Sequence, residues 1–381
     1  MEHEISSAAA PHLSYPQSEL PDGVTTLERP ASQARATSLA FLRFEKRDLR
    51  ATEAFLSDFG MMAVERTDTR LVMRGANESP CIYVAEKARR SRFVGAAFTV
   101  AADCDLTCFH GEPGARPLTD AEIPGGGEGV ELIDPAGHPV WLLRDWGRVP
   151  PLPVRAPIGT DPNTPIRSHR INATIRAPVG PAQVVKLGHM VIQTTRFPEM
   201  ADWYMAHLGL IPTDVQYLAD GSPALTFFRL DLGATPADHH ALVLVGGLSD
   251  ELEHSAYEVV DLDAIGQGQQ LLRARGHRHM WGIGRHVLGS QLFDYWYDPD
   301  GFQFEHYADG DLFTADYETR YSPLEAGSIW AWGDDAPAQL RGKKSPALLL
   351  KVAAALWRGR VSLSRLKLIA SAMGKPARPW L

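Results

Sequence analysis

The segment Tyr297–Tyr307 reads YDPDGFQFEHY, and the segment Ile133–Leu143 reads IDPAGHPVWLL. Each begins with an Asp-Pro-x-Gly turn, in which proline fixes φ and glycine accepts a positive φ, and each continues as a strand. The segments that precede these two turns can also be aligned with each other without gaps. Ala40–Met61 (AFLRFEKRDLRATEAFLSDFGM) aligns with His189–Leu210 (HMVIQTTRFPEMADWYMAHLGL), and both read as an apolar strand, an amphipathic helix and a terminating glycine. The chain is therefore predicted to contain two copies of one β-α-β plan, of the α+β class.

The composition is that of an ordinary globular protein. The chain has 381 residues, 44% of them apolar and 22% charged, which is enough for two or three domains with a large core. We expect no membrane-spanning helix and no secretory signal. The net charge of −8 argues against a nucleic-acid partner. Three cysteines are too few for a disulfide framework and predict reduced thiols in a cytoplasmic protein.

The pattern divides the chain into five parts. Residues 1–36 lack periodicity and are predicted to be a flexible N-terminal tail. Residues 37–148 and 184–310 are predicted to be the two folded copies, and the proline-rich residues 149–183 their linker. Residues 311–381 are predicted to be a C-terminal extension.

The end of that extension has a distinct composition. Residues 341–381 contain ten lysines and arginines and no acidic residue. Apolar residues recur there at helical spacing, which predicts basic amphipathic helices. Such helices fit an anionic membrane surface or an acidic partner. The alternative, which this composition favours, is that they pack on the acidic remainder of the chain or on another subunit.

Three candidate metal ligands lie at strand positions of the second copy. His189 opens its first strand, His254 precedes the strand at residues 257–260, and Glu305 follows the Asp-Pro-Asp-Gly turn. Two imidazoles and one carboxylate form the facial triad typical of non-haem Fe(II), with three coordination positions open to substrate and O₂. Each residue alone is more readily explained as an ordinary core or surface side chain. The interpretation depends on the three together.

The first copy provides an internal comparison. By the internal repeat, its equivalents of the three ligands are Ala40, approximately Gly95, and Trp141. None of these can bind a metal ion. We therefore predict one metal-binding copy and one metal-free copy.

The second copy resembles the type I extradiol catechol dioxygenases of the vicinal oxygen chelate superfamily, the group that includes 2,3-dihydroxybiphenyl dioxygenase. The most specific segment is Gly282–Glu305, GIGRHVLGSQLFDYWYDPDGFQFE, with the signature histidine at His286, the tyrosine at Tyr295, then the turn and the ligand Glu305. The resemblance covers roughly residues 37–310. It implies two tandem vicinal-oxygen-chelate modules of repeated βαβββ units, metal-free at 37–148 and catalytic at 184–310.

The resemblance also implies an activity. A catechol would bind Fe(II), and O₂ would cleave its ring beside a hydroxyl group, both oxygen atoms entering the product. In that scheme His240 is the candidate acid/base, while His286 and Tyr295 hydrogen-bond the substrate oxygen. The sequence departs from the family pattern at Asp294, where an apolar residue is expected, and at Glu253, where many members carry histidine.

Several alternatives stay open at this stage. The chain could be another metalloenzyme of the superfamily, such as a glyoxalase-like isomerase or a hydroxyphenylpyruvate-type oxygenase, or a non-catalytic aromatic-binding protein with the same fold. Mn(II) accepts the same ligands as Fe(II). We expect a homo-oligomer, as in the family, and an aromatic pocket that could include Trp203, Trp281, Phe293 and Trp296.

Overall fold

A computed structural model describes residues 20–158, 162–176, 179–337 and 346–374. Its architecture is mostly β-sheet with few helices, in two large sheets and one two-stranded sheet. This confirms the predicted α+β class and the two tandem modules.

The first half of the chain forms an eight-stranded sheet in the order β2-β3-β4-β1-β5-β8-β7-β6. The elements of this half are β1 (Ala36–Lys46), α1 (Leu49–Asp58), β2 (Met62–Arg66), β3 (Arg70–Arg74), β4 (Tyr83–Lys87), β5 (Arg92–Val100), a 3₁₀ turn (Leu106–Phe109), β6 (Arg116–Leu118), β7 (Glu128–Ile133) and β8 (Pro139–Arg144).

The second half forms a ten-stranded sheet in the order β19-β10-β11-β13-β9-β14-β17-β16-β15-β20, while β12 pairs with β18. The elements of this half are β9 (Val184–Thr194), α2 (Phe197–Leu208), β10 (Ile211–Tyr217), β11 (Pro223–Arg229), β12 (Ala237–Asp238), β13 (Leu242–Gly246), β14 (Glu251–Val259), α3 (Leu262–Ala274), β15 (Arg278–His286), β16 (Leu292–Tyr297), β17 (Gln303–Ala308), β18 (Leu312–Phe313), β19 (Arg320–Pro323), a 3₁₀ turn (Ala326–Ser328) and β20 (Trp330–Gly333).

The internal repeat is present in the sheet order, but the ungapped alignment is offset by one residue in the first strand. Ala97 of β5 pairs with Phe41, as Ala256 of β14 pairs with His189. The equivalent of His189 is therefore Phe41 and not Ala40. The offset arises because Gly60 follows Phe41 by 19 residues whereas Gly209 follows His189 by 20, so an alignment anchored on these glycines misplaces the first strand by one residue. Phe41, like Ala40, has no side-chain atom that could bind a metal ion, so the first copy is still predicted to be metal-free.

Local sequence explains where the helices begin and end. The side chain of Asp48 accepts hydrogen bonds from the backbone of Arg50 and Ala51 at the start of α1, and Asp261 caps α3 in the same way through Ala264. Helix α2 ends at Gly209, whose φ of 65° places it in the left-handed region.

The two halves share one large apolar core and several polar contacts across it. Nε2 of His306 lies 2.7 Å from the carbonyl oxygen of Phe59, and its ring stacks on the Phe59 ring at 3.6 Å. At another point of the same boundary, the hydroxyl of Tyr204 in the second half donates to the carboxylate of Asp134 in the first half over 3.2 Å. These contacts hold the second sheet against the first.

The segments outside the two predicted modules also contact the second half. Residues 1–19, part of the predicted flexible tail, lie outside the described residues, whereas Arg29 donates to Asp231 and to the carbonyl oxygen of Gly209, each over 2.6 Å. Strands β19 and β20 extend the second sheet beyond residue 310. Two further helices follow, α4 (Pro346–Trp357) and α5 (Leu363–Met373). Among the described residues, no helix is long and apolar enough to cross a membrane.

Candidate metal centre

Strand register brings the three predicted ligands together. Ala256, in the middle of β14, pairs with His189 on one side and with Glu305 on the other. His254 lies two residues before Ala256, so its side chain points to the same face of the sheet. Ala256 contributes only a methyl group to that face, and the three polar side chains converge above it.

The ligand atoms form a compact, buried cluster. Nε2 of His189 and Nε2 of His254 lie 3.2 and 3.3 Å from Oε2 of Glu305. One ligand atom from each residue lies within 4.8 Å of the others. Glu305 is fully buried, and His189 nearly so.

The cluster fits a divalent metal ion. Neither carboxylate oxygen of Glu305 makes a hydrogen bond of normal geometry within the described part of the chain, although both are buried. An unpaired buried carboxylate is strongly destabilising unless a cation compensates it. Ligands about 2.1 Å from a common ion and at right angles lie about 3 Å apart, which matches the observed separations.

The charges within the cluster are strongly coupled. Burial would raise the pKa of Glu305, but the three imidazoles of His189, His254 and His286 outweigh it and hold that pKa well below its ordinary value. Burial lowers the pKa of His189. Burial would also lower the pKa of His254, but Glu253 and Glu305 raise it to about 10. The cluster thus combines an ionised carboxylate and a neutral His189 with a His254 imidazole from which a bound metal ion would displace a proton.

The side chain of Glu253 orients His254. A carboxylate oxygen of Glu253 contacts Nδ1 of His254 within hydrogen-bonding distance. A carboxylate on the outer nitrogen of a ligating imidazole fixes the ring and its tautomer. The sequence comparison treated Glu253 as a departure from the family pattern. The structure gives it a positioning role instead.

His240 lies beside the cluster at the end of a chain of imidazoles. Its ring centroid is 4.0 Å from that of His189. Its Nδ1 lies 2.8 Å from Nδ1 of His239, and Nε2 of His239 lies 2.6 Å from a carboxylate oxygen of Asp214. All three residues are buried, and burial together with His189 and His239 lowers the pKa of His240 well below its ordinary value. Sequence reasoning missed Asp214, because its strand β10 is remote in sequence.

His286 and Tyr295 form a pair on the other side of Glu305. Nε2 of His286 lies 2.9 Å from the Tyr295 hydroxyl and 3.5 Å from Oε1 of Glu305. Tyr295 pairs with Glu305 across β16 and β17. Nδ1 of His286 lies 2.8 Å from the carbonyl oxygen of Ile329, so that nitrogen donates, and in the neutral ring Nε2 accepts from the hydroxyl.

Close packing explains why the residue before His189 is a glycine. A Cβ at Gly188 would lie 2.0 Å from the hydroxyl oxygen of Tyr307. The Tyr307 ring packs against the His189 ring, with centroids 5.3 Å apart. Gly188 therefore lets the tyrosine of β17 support the imidazole of β9.

The aromatic residues suggested for a pocket lie in different places. Trp281 and Phe293 contact the pair of His286 and Tyr295, with Phe293 stacked 4.2 Å from the His286 ring. Trp296 instead donates to Asp294 and contacts His279. Trp203 stacks on a histidine within α2, His207.

In the first half, apolar side chains fill the equivalent face. Phe41 and Trp141 pack edge to face at 6.1 Å, and Trp146 packs against Phe41. These residues belong to a separate apolar cluster with Ala97, the equivalent of Ala256. At the positions equivalent to the three ligands, metal-ligating residue types are thus present in only one of the two copies.

Comparisons with known proteins agree with this site. Residues 186–306 match the family model described as the Glyoxalase/Bleomycin resistance protein/Dioxygenase superfamily. The matched segment contains the whole His-His-Glu cluster. The fold and the site of this segment are thus similar to those of a metal-binding module of that superfamily.

Three known proteins are similar to this chain over most of its length. The chain is 28% identical over 319 residues to metapyrocatechase 2 of Cupriavidus necator, covering 81% of this chain and 93% of that protein. An extradiol ring-cleaving dioxygenase from B. fuscum matches with a TM-score of 0.67 at 19% identity, covering 82% and 84% of the two chains. The Mn(II)-bound glyoxalase from Novosphingobium aromaticivorans matches with a TM-score of 0.66 at 20% identity, covering 80% and 94%. These similarities confirm the predicted resemblance to extradiol dioxygenases, which are ring-cleaving enzymes.

Proposed function

We propose that this protein is a non-haem Fe(II)-dependent extradiol dioxygenase that cleaves the ring of a catechol-type aromatic with O₂. The observation that carries the proposal is the convergence of His189, His254 and Glu305 on one buried point within the second half of the chain. Two imidazoles and one carboxylate leave a face of the ion open for substrate and O₂. The relationship to metapyrocatechase 2 supports a catechol as the substrate class.

The bound ion would lower the pKa of a coordinated hydroxyl group and hold the catechol and O₂ in reacting distance. The protein's own residues then have distinct tasks. His189, His254 and Glu305 would hold the ion, while Glu253 fixes the His254 ring. Burial of the cluster excludes water from the reacting atoms.

His240 is proposed as the acid/base. Its lowered pKa keeps the imidazole neutral, so it can accept a proton from a catechol hydroxyl and return it later. The hydrogen-bonded chain through His239 to Asp214 orients the ring and stabilises the cation that forms when His240 accepts the proton.

His286 and Tyr295 are proposed to position the substrate. Their hydrogen-bonded pair stands beside Glu305, opposite His240. The Tyr295 hydroxyl can donate to an oxygen atom on which negative charge develops, and the His286 ring holds that hydroxyl in place. Burial, followed by the charge of Glu305, raises the pKa of Tyr295, so the phenol keeps its proton.

The experiment that tests this function is metal analysis combined with oxygen uptake. Freshly purified protein is analysed for iron and manganese, then loaded anaerobically with Fe(II) and ascorbate and given a panel of substituted catechols. We expect stoichiometric iron, O₂ consumption and a yellow ring-opened product with at least one catechol. Protein loaded with Mn(II) is the comparison that decides between the two metals.

Two other results would contradict the proposal. Bound metal without O₂ consumption on any catechol would favour a glyoxalase-like activity or a non-catalytic aromatic-binding protein. Oxygen uptake without a metal would separate the activity from the His-His-Glu cluster.

The assignment of parts follows from this function. We propose that residues 184–310 are the catalytic module and residues 37–148 the metal-free one, joined by the linker at 149–183. We propose the cytoplasm as the location, because the three cysteines are unpaired thiols. We also propose a homo-oligomer.

A further inference from the structure

Helix α4 presents a continuous apolar face to solvent. Leu349, Leu350, Ala353, Leu356 and Trp357 recur at spacings of three and four residues, which places them on one side of the helix. All five are exposed, Leu350 by 72% and Trp357 by 87%. Exposed apolar residues scattered singly need no explanation, but a row of this size on one face marks an interaction surface.

This face is held outward by the attachment of both helices to the second half. In α4, Ala355 is buried on the opposite side from Trp357. In α5, the guanidinium of Arg365 donates to the carbonyl oxygen of Pro223 over 2.7 Å. Ala372 of α5 packs in an apolar cluster that includes Leu218. Helix α5 thus packs on the body of the protein, while the apolar face of α4 does not.

The C-terminal segment that carries this face is basic. Residues 341–381 carry ten lysines and arginines and no acidic residue, although the whole chain has a net charge of −8. Arg358, Arg360 and Lys367 are exposed at the end of α4 and along α5. Of these, Arg360 lies 3.2 Å from Asp250 of the body.

We propose that the surface formed by α4 and α5 binds a lipid bilayer containing anionic phospholipids. Apolar side chains ending in a tryptophan, bordered by lysine and arginine, are the features of a helix that lies in the membrane interface. Leucine and tryptophan side chains enter the boundary of the acyl chains, and the cations pair with lipid phosphates. A helix of 12 residues is about 18 Å long and lies in the plane of the interface without spanning it.

Charge complementarity favours this occupant over a second copy of the chain. A symmetric contact between two copies would bring the same patch onto itself, and so would set one cationic segment against another. An anionic bilayer offers opposite charge and apolar depth together. The acidic remainder of the protein opposes binding only weakly, because charges beyond about 8 Å are screened at physiological ionic strength.

Vesicle flotation of the full chain tests the proposal. The probes are vesicles of phosphatidylcholine alone and vesicles containing about 30% phosphatidylglycerol, at low and high salt. We expect the protein to float with the anionic vesicles at low salt, to bind neutral vesicles much less, and to dissociate as salt rises.

Two variants separate the apolar contribution from the charge. The double substitution Leu350→Ser with Trp357→Ser removes apolar surface, and Arg358→Glu with Lys367→Glu reverses charge. Each should lower partitioning onto anionic vesicles by at least about tenfold. The matched controls are Ile166→Ser, a 96% exposed isoleucine outside the two helices, and Arg89→Glu with Arg90→Glu on the first half. Both controls should bind as the unchanged protein does.

Three results would overturn the proposal. Equal binding to neutral and anionic vesicles would show that anionic lipid is not recognised. Unchanged binding of the α4 and α5 variants would show that this surface does not contact the bilayer. Absence of vesicle binding, with concentration-dependent self-association that the Leu350→Ser, Trp357→Ser variant abolishes, would identify the face as an interface between copies. Circular dichroism and metal content of each variant show that the fold is retained.

Discussion

The ammonium group of Lys46 is in direct contact with the carboxylate of Asp298, and the two side chains are 0% and 1% exposed. Lys46 ends β1 in the metal-free half. Asp298 opens the turn that leads into the strand of Glu305, and its other oxygen accepts from the backbone of Asp300 and Phe302. A buried ion pair thus joins the first half to the turn that positions a metal ligand.

Removing one partner of this pair should strongly destabilise the protein. Lys46→Met leaves the Asp298 carboxylate buried without its cation, and we expect a loss of about 3–5 kcal/mol in the free energy of unfolding, measured with urea. The control is Arg92→Met, which breaks the exposed pair with Glu45 and should cost at most about 1 kcal/mol. Equal losses in the two variants would show that the buried pair has no special weight.

His254→Ala should remove the metal while leaving the protein folded. The variant loses one of three ligands, and the remaining His189 and Glu305 hold a divalent ion far more weakly. Metal analysis and circular dichroism measure the two properties. The control is His277→Ala, since His277 bonds Asp58 outside the cluster and should keep the metal. Stoichiometric metal in His254→Ala would refute the ligand assignment.

His240→Phe should slow turnover but keep the metal. A positioned acid/base contributes typically about 10²–10⁴ in rate, and the phenyl ring fills the buried space beside Phe227 without accepting a proton. Steady-state O₂ uptake and metal content are measured on the same sample. Unchanged turnover would remove His240 from the reaction, whereas loss of metal would show that it supports His189 structurally.

Features set by short stretches of sequence could be predicted. The Asp-Pro-x-Gly turns, the strand-to-helix repeat and the ligand types of His189, His254 and Glu305 depend on neighbouring residues. The stretch from the first strand to the terminating glycine is one residue shorter in the first copy, which an ungapped alignment does not show. That alignment pairs Ala40 with His189, whereas the strand register gives Phe41.

Features set by distant pairing could not be predicted. The sequence does not show that β14 lies between β9 and β17, although that order aligns Ala256 with two ligands. The bond from His239 to Asp214 depends likewise on β10 folding back beside the site. Glu253 was visible next to His254, but its role required the orientation of the imidazole.

A pH-dependent contribution to stability is expected at the turn of the first half. Burial would lower the pKa of His138, but its hydrogen bond to Asp134 outweighs this and raises it above 6.5. A raised pKa in the folded state stabilises the protein fully below pH about 6.5, and the gain is lost as pH rises through the raised value. We therefore expect His138→Gln to lower the urea midpoint of unfolding, and to lower it more at pH about 5.5 than at pH about 9. The exposed His110→Gln serves as control, and a difference independent of pH would contradict the assignment.

Tyr295→Phe tests whether the pair with His286 acts as one unit. The substitution removes the hydroxyl that lies 2.9 Å from Nε2 of His286 and keeps the ring stacked on Trp281. Loss of one hydrogen-bond donor to a developing charge costs about 10²–10³ in kcat, so we expect a loss of that order with the metal retained. His286→Gln should have a similar effect, and the double variant should be little worse than either single one, because the two groups share one hydrogen bond. Fully multiplicative losses would show that the two residues act independently on the substrate.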